Sequence, residues 1–252
     1  MKKGKKIIIG IIVALLVVVL VGYIYLFTGS KIKNVSNDVI KGEEGTKSLV
    51  VYFTRQGEIP GNVDAVSSAT QNSNEGMDGS DTEAAARMIQ SLTGADLYQI
   101  YTEHYYRKSF AGTAATAWIE EQLNLRPKLA AKPDNLDDYD TIYVGYPIWW
   151  FNAPMAIGSF LESYDLSGKT IVPFCTSQDN DISVSMDYIK EVASGANVLD
   201  GYRIHGADVD DVKEWLQRIG VLNDNNTENQ NAEGSLEMKT KKSDKNYESA
   251  TI

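Results

Sequence analysis

Cysteine is nearly missing: Cys175 stands alone in 252 residues, so no intramolecular disulfide can form. A lone thiol fits an exported protein only weakly, because export permits disulfides without requiring them. Histidine is almost as scarce, and neither His104 nor His205 has partners at the spacing of a zinc site or a hydrolytic triad. Positive charge is also short, with 24 Lys and Arg against 34 Asp and Glu. Between Ser48 and Leu222 there are 12 basic against 25 acidic residues, a net of −13. That balance argues against nucleic-acid binding and against docking on an anionic membrane surface, and it favours cationic partners. There is no phosphate-binding P-loop. The first strand is followed by Thr54-Arg55 rather than by paired carboxylates, which excludes a phospho-acceptor receiver. No internal repeat is present.

What is present starts with four lysines in residues 2–6, then 21 uncharged residues, Ile7 to Phe27, rich in Ile, Val and Leu. As a helix this run is about 31 Å long, close to the hydrocarbon thickness of a bilayer. It exceeds the apolar core of a signal peptide, and no small-x-small cleavage site or lipid-accepting cysteine follows it. The reading is therefore an uncleaved single-pass anchor over 7–27. Lysines before the span outnumber Lys31 and Lys33 after it, so residues 1–6 are expected in the cytoplasm and the folded domain outside it.

Residues 28–47 are polar, lack helical periodicity and read as a tether. From Ser48 to Leu222 strands and helices alternate. Strands are expected at 48–53, 96–100, 141–146, 169–175 and 197–204, and helices at 81–92, 110–125, 155–164, 183–192 and 209–219. The helix over 110–125 has apolar positions at Ala111, Ala114, Ala115, Trp118, Ile119 and Leu123. Pro173 calls for a bulge or an edge placement in its strand. The pattern is that of βαβ units around a doubly wound, five-stranded parallel sheet, an α/β fold with right-handed crossovers. Residues 57–80, rich in Gly, Asn, Ser and Asp, far exceed a 2–6 residue βα turn and form an insertion. The tail 223–252 has almost no apolar content and is expected to be disordered.

The chemistry centres on Ile142 to Pro154, IYVGYPIWWFNAP. A buried strand runs to Tyr146 and is broken by Pro147, which has no N–H for the ladder, leaving Trp149 and Trp150 at its carboxyl end. In open α/β sheets that edge is where ligands bind. Paired indoles there either stack on a flat aromatic ligand or plug the end of the sheet. In a doubly wound sheet whose first, third and fourth strands neighbour one another, three such loops converge: Thr54-Arg55-Gln56-Gly57, Tyr146 to Asn152, and Thr176-Ser177-Gln178-Asp179-Asn180. The amino end of the helix at Asp81 adds N–H groups and a dipole suited to phosphate. Phosphate at one end and a flat heterocycle at the other describe a mononucleotide.

In VVYFTRQG, DTEAAARMI, GADLYQIY, Tyr105 to Arg126-Pro127, GYPIWWFNAPM, FLESYDLSGKTIVPFCT and VLDGYRIHG, in order over about 48–220, the chain resembles the flavodoxin family, and within it the branch with a YPIWW…AP loop. The resemblance implies strand order 2-1-3-4-5 and noncovalent FMN as a one- or two-electron carrier. By position, Thr54, Arg55, Gln56, Gly57 and Thr82 would hold the phosphate. Pro147, Ile148, Trp149 and Trp150 would flank the isoalloxazine, and Thr176 and Ser177 would meet its other edge. Relatives often carry a glycine-rich run where this chain reads TSQDNDIS; a carboxylate near the flavin disfavours its anionic reduced form and lowers its potential. Val63 to Thr70 is similar to the sequence in which a threonine is covalently flavinylated, although a serine-rich loop of this kind is usually plain surface.

Three functions remain open on these residues. The first is a membrane-anchored electron carrier with a redox protein or a small quinone-like molecule as partner. The second is an FMN-dependent NAD(P)H quinone or nitro-reductase, and the third a flavin-free binding module using Trp149 and Trp150. Cys175 reads as a small hydrophobe before a redox thiol. Tyr105 and Tyr106 read as core before a flavin wall.

Overall fold

Three short apolar runs build the middle of a parallel sheet: β1 (Ser48–Phe53), β3 (Thr141–Pro147) and β4 (Thr170–Thr176). In the computed structural model, which describes residues 2–27, 29–33, 35–55, 80–107, 109–205 and 209–222, these strands are buried on both faces. With β2 (Asp96–Ile100) and β5 (Asn197–Val198) the order is β2-β1-β3-β4-β5, the 2-1-3-4-5 arrangement, and every pair is parallel. Alternate residues divide between two layers. Leu49, Val51, Phe53, Ile142, Val144, Tyr146, Ile171 and Cys175 share one core with α4 (Met155–Leu161) and α5 (Ser183–Val192). The other face meets α2 (Asp81–Thr93), which is capped by Ser80 and closed by Gly94 at φ 66°. That left-handed turn is one glycine adopts at little cost.

Pro173 neither bulges β4 nor lies at the sheet's edge; it pairs in register with Val144. Its missing N–H is absorbed by the outermost strand. The carbonyls of Lys169 and Ile171 accept from Asn197 and Leu199, at 2.8 and 2.9 Å, so the next ladder position on that side belongs to Pro173. There the ladder stops and resumes as β6 (Tyr202–Ile204), opposite Phe174 to Thr176. The single fifth strand expected over 197–204 is therefore two short ones. Likewise β3 does not end at Tyr146: Pro147 pairs with Thr176 as its last residue, because a terminal position needs no further donor.

The tether is bound to the domain along the open edge of β2. Ile40 and Leu97 exchange both backbone hydrogen bonds at 2.8 Å, and Glu43 N donates to Gly94 O at 2.8 Å. Lys41 Nζ and Gly42 N both donate to the buried Asp96 carboxylate at 2.8 Å. Asp96 is held below the usual carboxylate range by these donors and by Tyr139, against the opposing cost of burial. Nearer the amino-terminal helix, Tyr105 N donates to Ser30 O and His104 Nδ1 bonds Gly29 O. A covered edge cannot template pairing with another chain.

The amino-terminal helix α1 (Lys2–Phe27) contains an 18-residue stretch, Ile7–Ile24, of mean hydropathy 3.3, long and apolar enough to cross a membrane. The described residues 209–222 belong to a second unit. Within it α6 (Val209–Arg218) buries Val212, Trp215 and Leu216, with Asp210 and Asp211 in its first turn.

Helix α3 (Phe110–Gln122) turns the opposite way from its composition. Its buried residues are Gly112, Thr113, Thr116, Ala117 and Glu120. The apolar stripe marked out by the sequence is the outward one, with Phe110 52%, Trp118 48% and, just past the helix, Leu123 65% exposed.

Candidate functional site

The carboxyl ends of β3 and β4 are tied together at Thr176, and that of β1 lies beside β3 in the sheet. The carbonyl of Thr176 accepts from Ile148 N at 3.1 Å, which ties the β3 loop to β4. Its hydroxyl lies 2.7 Å from that of Thr82, which brings the first turn of α2 to the same point. Thr54 and Arg55 follow β1 at 6% and 8% exposure, Thr82 and Thr176 at 0% and 1%, and Ser177 at 7%. Hydroxyls, a guanidinium and the positive end of a helix of 13 residues are thus gathered at one edge of the sheet. This is the chemistry of a phosphate site. Gln56, Gly57 and Thr70 lie outside the described residues.

The β3 loop takes an unusual form. Trp149 and Asn152 exchange backbone hydrogen bonds at 2.9 and 3.0 Å, and Trp150 and Phe151 between them have φ of 51° and 62°. A two-residue turn with both φ positive is normally made by Asn and Gly. Here it is made by two bulky aromatics, each in a region that disfavours a side chain by about 1–2 kcal/mol. The turn is held from outside: Trp150 Nε1 donates to Ala114 O on α3 at 2.8 Å, and Asn152 hydrogen-bonds Glu121 at the end of the same helix. Strain of this kind collects at functional sites.

The two indoles have different surroundings. Trp149 is half-buried, edge-on to Phe53 at 5.5 Å and to Tyr106 at 5.2 Å between ring centroids. Trp150 is 47% exposed, and Phe151 beside it 66%. Trp149 therefore serves as both wall and core, whereas Trp150 and Phe151 form a rim. Pro147 is buried within β3, and Ile148 is half-buried against the core.

The loop after β4 is tied to itself. Asn180 N donates to Ser177 Oγ at 2.9 Å, and Arg203 Nη1 donates to Gln178 O at 3.2 Å. Asp179 and Asp181 are exposed. Hydrogen bonds from Ser183 hold the Asp181 carboxyl below its usual range. The carboxylates of TSQDNDIS thus lie in solvent, where their effect on the crevice is screened.

Cys175 is fully buried, and burial pushes its thiol up to about 12, so it is an inert hydrophobe.

Glu120 escaped the sequence reading. It is 4% exposed on the inner face of α3 and accepts from Tyr106 Oη at 2.7 Å; burial pushes its carboxyl up to about 7, opposed by that bond. Tyr106 in turn backs Trp149, so a buried acid stands one ring behind the loop. The signal available was its helical spacing from Thr113 and Thr116, which makes it part of the inward stripe.

The flavodoxin family profile matches residues 76–219. A solved structure of a candidate flavoprotein from Bacteroides uniformis ATCC 8492 is 30% identical, with a TM-score of 0.55, over 69% of this chain and 99% of that one. One from Bacteroides eggerthii DSM 20697 is 29% identical, with a TM-score of 0.56, over 69% and 98%. A flavoprotein from Lactobacillus acidophilus NCFM, solved in complex with FMN, is 21% identical, with a TM-score of 0.49, over 68% and 98%. No curated protein matches the sequence.

Proposed function

This chain belongs to the flavodoxin family, and on that premise we propose that it binds FMN noncovalently and carries electrons while anchored in a membrane by α1. The observation that carries the reading is the joining of the β3 loop, the end of β4 and the first turn of α2 at Thr176, with buried hydroxyls and Arg55 at this sheet edge and half-exposed indoles on the β3 loop. Arg55, Thr54, Thr82 and the amino end of α2 hold the phosphate, together with Gln56 and Gly57. Trp149 and Trp150 flank the ring, Pro147 and Ile148 fix the loop that bears them, and Thr176 and Ser177 meet the polar edge. Bound FMN supplies one- or two-electron redox chemistry; the protein's part is to hold, shield and tune the ring. The Trp149 ring is already fixed by its contacts with Phe53 and Tyr106, so little ordering is needed when a ligand arrives.

The amino end lies in the cytoplasm and the domain outside it, on the weight of the lysines that precede the span. Its partner is a redox protein or a small quinone-like acceptor. Purified full-length protein in detergent is expected to be yellow, or to take up added FMN. A colourless protein that takes up none would overturn the reading. NADH or NADPH oxidation with a quinone then separates a reductase from a carrier.

A further inference from the structure

Helix α3 packs its polar stripe inward and presents an apolar one to the outside. Over its first three turns the outward positions are Phe110, Ala111, Ala114, Ala115, Trp118 and Ile119, with no charge among them. The patch continues past the helix to Leu123 and across to Trp150 and Phe151, which Trp150 Nε1 joins to the Ala114 carbonyl. A soluble face of this composition is rare, and a contiguous exposed aromatic patch marks an interaction surface.

Its neighbour is α1. Phe27 is the last residue of that helix, and two residues later Gly29 O is bonded to His104 Nδ1, so the domain starts within about 7 Å of the span's outer end. Thr116 and Glu120 of α3 line the same cavity, of about 290 Å³, as Tyr23 and Phe27 of α1. Resting on the anchor reading above, we propose that the outward face of α3, with Trp150 and Phe151, lies in the interfacial layer of the bilayer that α1 crosses. Trp and Phe side chains favour that layer. The attraction is apolar, because the domain's acidic balance repels anionic lipid. Docking this way turns the aromatic rim of the crevice toward lipid, so that a planar acceptor dissolved in the bilayer reaches it without crossing water.

The test places nitroxide labels on the full chain in phosphatidylcholine vesicles, through Trp118→Cys, Leu123→Cys and, on the exposed face of α5, Asp187→Cys; Cys175 is buried and does not label. Labels at 118 and 123 are expected to relax with oxygen and to be shielded from a water-soluble nickel chelate, with the reverse at 187. Adding anionic lipid is expected to raise nickel access at 118 and 123. Nickel access equal to that at 187 would overturn the proposal, and so would shielding from both reagents, which would mean a second copy covers the face. Protein that fails to float with vesicles would defeat the anchor reading itself; protein that floats with wet labels would defeat only the docking.

Discussion

The hydroxyls of Thr82 and Thr176 lie 2.7 Å apart and join residues separated by 94 positions, the first turn of α2 and the last residue of β4. Both side chains are buried, so the pair fixes how the helix end stands over the strand ends. Thr82→Val keeps the shape and removes the hydrogen bond to Thr176. A typical intramolecular hydrogen bond contributes about 0.5–1.5 kcal/mol. Denaturant unfolding of the detergent-solubilised chain is expected to show that loss, together with weaker FMN binding. Unchanged stability would show that the pair contributes nothing.

The phosphate end is tested by comparing FMN with riboflavin, which lacks the phosphate. Arg55 is nearly buried beside Thr54, and a charge-assisted hydrogen bond contributes about 1.5–3 kcal/mol. Arg55→Ala is expected to weaken FMN by that amount and leave riboflavin binding as it was. Equal loss for both ligands would remove Arg55 from the phosphate site.

Replacing either indole separates ring binding from packing. Trp150→Ala is expected to weaken FMN by about 1–3 kcal/mol, by analogy with bases stacked on aromatics, with a stability loss of about 0.5–1.5 kcal/mol from its one hydrogen bond to Ala114. Trp149→Ala is expected to lose affinity and stability together, because its ring packs on Phe53 and Tyr106. Unchanged affinity in both variants would end the stacking role.

Phe151 is 66% exposed and holds a φ of 62°. Glycine adopts that geometry freely, so Phe151→Gly is expected to stabilise the protein by about 1 kcal/mol. A destabilised variant would show that Phe151 packs in a way that outweighs the turn's strain.

Glu120 gives the protein a pH dependence of definite sign. Its carboxyl rises from 4.5 to about 7 on folding because it is buried. The folded state therefore holds the proton more tightly than the unfolded one. Its contribution is fully present below pH 4.5 and lost as pH rises through about 7, amounting to about 3 kcal/mol. Glu120→Gln still accepts from Tyr106 and is expected to flatten the stability profile across that window. A wild-type profile that is flat there would contradict the assignment.

Much of this was legible in the residues. The buried strands β1, β3 and β4 were continuous apolar runs. The helix expected over 81–92 is α2, which the Ser80 and Gly94 caps bound in space. What escaped depended on tertiary context. The tether is polar and has no period, so nothing local marked its pairing with Leu97. Helix α3 has a clear apolar stripe, but composition cannot say which way it faces. The break in the last strand follows from Pro173 on its neighbour rather than from any residue of its own. The positive φ of Trp150 and Phe151 runs against their intrinsic preference and is held by α3. At the site, the indoles were identified as a pair, while the structure makes one wall and the other rim.

The account rests on a crevice at the ends of β1, β3 and β4 shaped for a phosphorylated planar ring. The most direct measurement is a titration of the full-length, detergent-solubilised protein, stripped of any bound ligand, with FMN and with riboflavin, followed by flavin fluorescence. Saturable quenching at one site per chain, tighter for FMN than for riboflavin, is the predicted result. No quenching by either flavin would contradict it.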